Sequence, residues 1–371
     1  MTPSSPSPAP TGLPELRSRI DAVDERILGL LNERARLAGE VGELKRALVP
    51  GAPFYAPERE RQVVHRLAAL NPGPFPGEAV RPVFQEIMSA CLSLERPLRV
   101  AFLGPEGTFT HQAVKHQFGG SILALPQGSI PSVFQAVERG QADHGVVPVE
   151  NATEGLVDST LDTFLESPLR ITAEILLPVE QALLLRPGGE WAQVRRVYSH
   201  PQALGQCQRW LAGHLPCASH VAAPSTAEAA RMAREDPDGA AVASKLAAGI
   251  FDLRVAAESI QDLDGNATRF LVLGRAATGP TGRDRTSLVA TVQDGPGALL
   301  RLLEPLARRG LNLSRIQSRP TRRKAWEHAF FLDVQGHEQE EPLAAALAEL
   351  REVAASVKLL GSYPLAQEPS L

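Results

Sequence analysis

The sequence predicts three consecutive folding units of different class: an all-α segment over residues 13–97, an α/β segment over 98–276 and a small α+β module over 285–364. Three observations carry that division. Up to Glu95 the apolar residues recur only at helical spacing. From Leu98 short apolar strands such as Arg99–Gly104, Gly145–Val149 and Arg269–Gly274 alternate with helices. After a Gly-, Thr- and Pro-rich linker, 277–284, the order becomes strand, helix, strand, strand, helix, strand, a ferredoxin-like arrangement. Residues 1–12 and 365–371 read as tails, the first disordered by its Pro and Ser content.

Composition narrows the function classes. With 371 residues, 43% hydrophobic, and no apolar run long enough to span a bilayer, the chain reads as globular, with no membrane partner. The net charge of −4 is spread over interspersed acids and bases, which argues against a nucleic-acid partner; Arg322, Arg323 and Lys324 form one short basic cluster that reads as a solvated loop. Cys91, Cys207 and Cys217 lack metal-ligand or CxxC spacing, so neither a metal nor a disulfide framework is expected. The leading residues lack a basic start and an apolar block, so the cytoplasm is the expected compartment.

In the first helix Leu13, Leu16, Ile20, Val23, Ile27 and Leu30 follow three- and four-residue steps, and Leu37, Val41, Leu44 and Leu48 resume them, but Arg34 occupies the seam between. A guanidinium aimed at hydrocarbon requires a carboxylate partner or an anionic ligand. Lys45 lies close to three whole turns after Arg34 and shares its face. After a break through Pro50, Gly51 and Pro53, a second helix opened by Pro57 carries Arg59 on the stripe of Val63, Leu67 and Leu70, with Glu60 beside it. A third helix pairs Cys91 with Glu95 next to the stripe Val80, Phe84, Ile87 and Leu94. Three cations and a carboxylate are therefore expected to converge on one bundle interior. Arg17 stands about 25 Å up the helix from Arg34 and a quarter turn away, too far to serve the same site in its own chain.

Four polar strings sit at expected strand ends of the α/β segment, where open sheets place their sites. They are Leu103–Phe109 with Thr108, Pro148–Asn151, Ser199–Gln202 and Asn266–Phe270. Neither a GxGxxG turn nor a phosphate loop occurs, so nucleotide binding is unsupported. Residue physics alone reads Thr268 as a strand threonine bonding backbone, and His200, before a proline, as a structural donor. In the last module Asp294–Leu300 puts a glycine-rich turn at a helix start, suited to a carboxylate or, more commonly, to close packing.

Taken together these strings resemble the bifunctional P-proteins over nearly the whole chain. Residues 13–96 are similar to their all-helical chorismate mutase domain, 98–276 to their prephenate dehydratase domain, two α/β lobes like a periplasmic binding protein, and 285–364 to their ACT regulatory domain. The resemblance implies that Arg34, Lys45 and Arg59 hold the carboxylates and ether oxygen of chorismate, with Glu60, Cys91 and Glu95 completing the site and Arg17 reaching into a partner subunit of a homodimer or larger homo-oligomer. Ala56, Cys91 and Glu95 depart from the family's usual Asp, Ser and Gln. Glu95 must be protonated to donate, so mutase turnover is expected to fall with rising pH, and Glu95→Gln to flatten that profile.

For the dehydratase the resemblance implies Thr268 as the catalytic hydroxyl, Thr108, Asn151, Ser199, Gln202 and Phe270 as substrate contacts, and Arg269 as an anchor for the pyruvyl carboxylate of prephenate. For the effector L-phenylalanine it implies Gly297, Ala298, Leu299, Leu300, Gln317, Ser318, Arg319 and Pro320, with Gln317 in place of the usual Glu weakening phenylalanine binding, an effect that Gln317→Glu should reverse. No cofactor is implied. Two rivals stay open: a dehydratase whose helical segment has decayed into a dimerisation or regulatory element, and a non-catalytic amino-acid or keto-acid sensor.

Overall fold

The computed structural model describes residues 12–48, 55–153, 155–293, 295–320 and 328–366. The leading residues 1–11, the break at Pro50, Gly51 and Pro53, Asp294 of the glycine turn, the basic cluster Arg322, Arg323 and Lys324, and the final residues 367–371 lie outside these.

The helical segment comprises α1 (Leu13–Leu48), α2 (Pro57–Leu70) and α3 (Gly77–Ser93). Pro57 starts α2, where its missing N–H costs nothing, and Glu58 and Glu60 sit at the positive end of that helix. Both α1 and α2 pack on α3. The expected closed bundle does not form within one chain: Leu13, Ile20, Leu30, Leu37, Leu44 and Leu48 of the α1 seam are all exposed. For the N-terminal half of α1 the reason is length. At about 1.5 Å per residue α1 reaches roughly 54 Å, more than twice α2 or α3, so no surface of the same chain can cover its N-terminal half. The buried face of α3 also differs from expectation. Gln85, Met88, Ser89 and Cys91 are buried, whereas Leu94 is exposed. The polar members of that face dock on the next domain: Gln85 Nε2 donates to the His116 carbonyl, and Ser89 Oγ accepts from Ser121 N at 3.2 Å.

The α/β segment forms two lobes. The first contains β1 (Leu98–Leu103), α4 (Phe109–Phe118), β2 (Ile122–Gln127), α5 (Ile130–Glu138), β3 (His144–Asn151), β4 (Gly155–Leu156), α6 (Asp158–Glu166) and β5 (Arg170–Pro178). The second contains β6 (Ala182–Leu185), β7 (Arg196–Ser199), α7 (Pro201–Gln206), α8 (Gln208–His214), β8 (Ser219–Ala222), α9 (Thr226–Glu235), β9 (Gly239–Ala243), α10 (Lys245–Ile250) and β10 (Arg254–Ala257). The chain then returns through β11 (Ala267–Gly274) to the first sheet, whose order is β2-β1-β3-β11-β5; the second sheet runs β10-β6-β9-β7-β8. Two crossovers thus join the lobes, and they bond to each other: Val179 N donates to Asn266 O and Ile260 N to Gln181 O, both at 2.9 Å.

The last module is β12 (Asp284–Thr291), α11 (Ala298–Arg308), β13 (Leu313–Pro320), β14 (His328–Gln335), α12 (Leu343–Val353) and β15 (Ser356–Pro364), with sheet order β13-β14-β12-β15. One sheet face is covered by α11 and α12 around Leu302, Leu306, Leu347 and Leu350. The other packs on the first lobe, where Phe331, Leu360 and Tyr363 share a core with Ile171 and Leu271. The backbones of β15 and β5 approach so closely at Gly361, φ 150°, that any Cβ there would collide with the Ile171 carbonyl.

Candidate functional site

Thr268 lies opposite Asn151 in the β11–β3 register, at the lobe interface end of the first sheet. Asn151 Nδ2 donates to Thr268 Oγ1 at 2.8 Å. Asn151 Oδ1 in turn accepts from Thr153 N at 3.0 Å and Thr153 Oγ1 at 2.7 Å. From the second lobe, Gln206 Nε2 donates to Thr153 Oγ1 at 3.4 Å, and Gln181 Nε2 to Gln206 Oε1 at 3.2 Å. Two buried side chains nearby keep unmet polar atoms: Gln181 Oε1 and both amide atoms of Asn266, two residues before Thr268. Thr153, Gln181 and Gln206 were not legible as site residues, because isolated Thr and Gln in a sequence give no spacing signal.

The other expected contacts fare unevenly. Thr108 caps α4, accepting from His111 N at 3.3 Å and donating to Pro105 O at 3.0 Å. Its turn is held against the second lobe by Ser244 Oγ, which donates to Gly107 O at 2.9 Å. Gln202 is exposed on the first turn of α7, where His200 Nδ1 accepts from Gln202 N, so His200 is structural but as an accepting helix cap, not as the donor expected. Ser199 must be corrected: it is fully buried and its hydroxyl proton is committed to Val242 O at 2.6 Å, so it offers a ligand neither exposed surface nor a donor. Phe270 is buried in the core beneath α4.

Arg269 requires the largest correction. Successive strand residues face opposite ways, and Arg269 points away from Thr268 into the seam with the last module. There it pairs with Glu174 at 2.9 Å and Asp333 at 2.8 Å and donates to Tyr363 Oη at 3.0 Å. Arg285 also pairs with Glu174 at 2.5 Å, and Ser287 Oγ donates to Asp333 at 2.5 Å. Burial alone would raise the Asp333 carboxyl, but Arg269 and Ser287 hold it below the ordinary carboxylate value. A guanidinium so fully committed cannot also anchor a substrate carboxylate.

In the helical segment Arg34 is half-buried, Lys45, Arg59 and Arg17 are exposed, and Cys91 is buried. Glu95 lies against Gly42 of α1, a close approach that only a glycine permits. Glu60 is strongly perturbed: burial pushes its carboxyl up to about 7, although a 2.7 Å bond from Tyr55 Oη and the charges of Arg81 and Arg34 pull the other way. One chain thus brings Arg34 toward Glu60 but leaves the expected cationic interior open.

The effector strings are divided. Gly297 takes the left-handed conformation, φ 71°, just before Ala298 opens α11, and Leu299 and Leu300 are exposed. Along β13, Arg315, Gln317 and Arg319 turn toward the first lobe, while Ser318 and Pro320 face solvent. Arg319 pairs with Asp158, and with Asp162 at 2.8 Å; Arg315 pairs with Glu150 at 2.9 Å. Gln317 lines the crevice between the domains with Arg315, Phe164 and Phe331.

Family models place these features. Residues 16–96 match chorismate mutase type II, 100–278 prephenate dehydratase and 286–352 the ACT domain. A bifunctional chorismate mutase/prephenate dehydratase of Aquifex aeolicus is 47% identical over 95% of this chain and 98% of its own. Among solved structures, the prephenate dehydratase of Arthrobacter aurescens in complex with L-Phe superposes with a TM-score of 0.67 at 38% identity, over 74% of this chain and 92% of that one. GqqA, described as a novel type of quorum quenching acylase, also superposes at 0.67, with 32% identity over 72% of this chain and 98% of that one. Three domain matches in this order, with a relative aligned from end to end, make this chain a member of the bifunctional chorismate mutase/prephenate dehydratase family.

Proposed function

We infer that the chain carries out both family reactions, rearranging chorismate to prephenate and then decarboxylating and dehydrating prephenate to phenylpyruvate, and that L-phenylalanine inhibits it through the ACT domain. The match to a bifunctional relative along 98% of its length supports this reading over the acylase chemistry of GqqA, whose fold is shared but whose match covers only 72% of this chain.

In the dehydratase step the ring carboxylate leaves as carbon dioxide, its bonding electrons complete the aromatic ring, and the ring hydroxyl departs with a proton as water. The one observation that carries the assignment of Thr268 is the polarity of its bond to Asn151. Because Asn151 presents its NH₂, Thr268 Oγ1 accepts there, and among the described residues it donates to none. Its proton is available for the departing oxygen, where charge develops. A neutral donor suits a site that must also let a carboxylate leave uncharged.

For the mutase step we assign Arg34, Lys45 and Arg59 to the substrate carboxylates and ether oxygen, with Glu60, Cys91 and Glu95 around them, and Arg17 to the site of a second copy. The rearrangement requires a compact conformer and donors at the ether oxygen, with no nucleophile. The uncovered seam of α1 supports assembly: its exposed leucines need a surface that one chain lacks. The enzyme works in the cytoplasm in this reading. Among the described residues, no helix is long and apolar enough to cross a membrane.

A coupled assay on the full chain tests the whole. Chorismate should yield phenylpyruvate, L-phenylalanine should depress the second step, and Thr268→Ala should stop at accumulated prephenate. Phenylpyruvate formed by Thr268→Ala at the parent rate would remove Thr268 from catalysis, and a parent chain without mutase turnover would leave the helical segment a purely structural element.

A further inference from the structure

We propose that Thr153, Gln206 and Gln181 are positioning residues of the dehydratase, forming with Asn151 a one-way chain of hydrogen bonds that spans both lobes and fixes which way the Thr268 hydroxyl points. The inference rests on the reading of Thr268 as the donor to the departing hydroxyl.

One group in this chain of bonds has a role that is not open to choice. The backbone N–H of Thr153 can only donate, and it bonds Asn151 at 3.0 Å, so the atom there is the amide oxygen. The NH₂ of Asn151 must then face Thr268. Since Oδ1 can only accept, the Thr153 hydroxyl donates to it at 2.7 Å and leaves its lone pairs for a further donor. That donor is the Gln206 NH₂, on α7 of the opposite lobe. Gln206 therefore turns its oxygen to Gln181, whose NH₂ supplies the last bond. The far end agrees: Gln181 is almost fully buried and, among the described residues, its oxygen has no partner, as expected of a chain oriented from the other end.

Every member donates toward Thr268, so the bonds polarise one another and the terminal hydroxyl becomes a stronger donor. No proton travels along the chain, because an amide cannot relay one without tautomerising; the effect is orientation and polarisation. Gln206 and Gln181 belong to the second lobe and the crossover, whereas Asn151, Thr153 and Thr268 belong to the first. The array therefore crosses between the lobes, which ties the donor strength of Thr268 to their contact.

The test uses the full-length protein and reads dehydratase kcat and KM separately, with the mutase rate of the same preparation as the control for folding. Thr153→Val keeps the shape and removes the hydroxyl; it should lower dehydratase kcat about tenfold or more, the equivalent of one lost oriented hydrogen bond, with KM within about threefold. Thr153→Ser should restore kcat to within about threefold of the parent. Gln206→Met, which removes only the next donor, should lower kcat in the same direction by a smaller factor, and it decides the matter if the valine protein also loses mutase turnover. Parent-like kcat in Thr153→Val or, should that variant misfold, in Gln206→Met would overturn the array, as would equal impairment of the valine and serine variants. An active Thr268→Ala enzyme sinks the underlying assignment instead, so the two failures are told apart.

Discussion

His144 shows how far a single side chain can be displaced from its solution behaviour. It is buried between Tyr55 and Phe118, with Nδ1 donating to Leu273 O at 3.2 Å. Burial lowers its pKa to about 4, against a smaller upward pull from the Leu273 bond and the neighbouring Asp143, which Arg96 and Arg99 keep ionised to about pH 2 despite its own burial. A depressed histidine contributes stability that is complete above its unfolded value near 6.5 and is lost as the pH falls toward 4, because the unfolded chain takes the proton first. The loss between pH 7 and pH 5 should be about 2 kcal/mol. Denaturant unfolding of the parent and of His144→Gln at both pH values measures it as a difference between the two proteins: the substitution should lower stability at pH 7 and cost about 2 kcal/mol less at pH 5. An unchanged pH dependence would show that His144 is not the titrating group. Glu60 works in the opposite sense, since a raised carboxyl favours the fold at low pH and that contribution fades as the pH rises toward 7.

Among the elements, α1 stands apart. A helix with ten apolar seam positions exposed is under tension with solvent, and each buried leucine is worth about 1.5–3 kcal/mol. If a second copy covers that seam, Ile20→Glu should shift the protein toward monomer in sedimentation equilibrium and depress mutase turnover, while dehydratase turnover persists at a rate within about threefold. A variant with unaltered mass and mutase rate would place the seam outside the assembly interface. The strand β13 makes the complementary case. Its alternation commits Arg315 and Arg319 to acids on the first lobe, so the string that carries Gln317 is a domain contact as well as an effector candidate.

The whole molecule is joined through Arg269. Thr268 and this arginine are neighbours on β11 that face opposite ways, one into the cleft and one into the seam with the ACT domain, where Glu174, Asp333, Arg285 and Tyr363 meet. The seam with the ACT sheet thus lies one residue from Thr268 along β11. Breaking a buried pair strands the remaining charges, at a cost of about 3–5 kcal/mol. Arg269→Met should lower the thermal midpoint by several degrees, about 2–4 °C per kcal/mol at this size, and should weaken the inhibition by L-phenylalanine while mutase turnover stays at the parent level. Intact stability with full phenylalanine response would mean that the seam neither holds nor couples the domains.

Periodicity and composition by themselves determined the three units and the class of each, because local patterning of apolar residues sets helix or strand and does not depend on distant partners. The short strings at strand ends likewise pointed to the cleft, and Arg34 to an anionic demand in the helical segment. Only the tertiary structure decided which side chains are available. It consumed Ser199 and Arg269 in internal bonds, assembled Thr153, Gln181 and Gln206 into the cleft from separate elements, and left the α1 seam uncovered. Hydrogen-bond direction and charge pairing arise between residues far apart in the chain, so no spacing in the sequence records them.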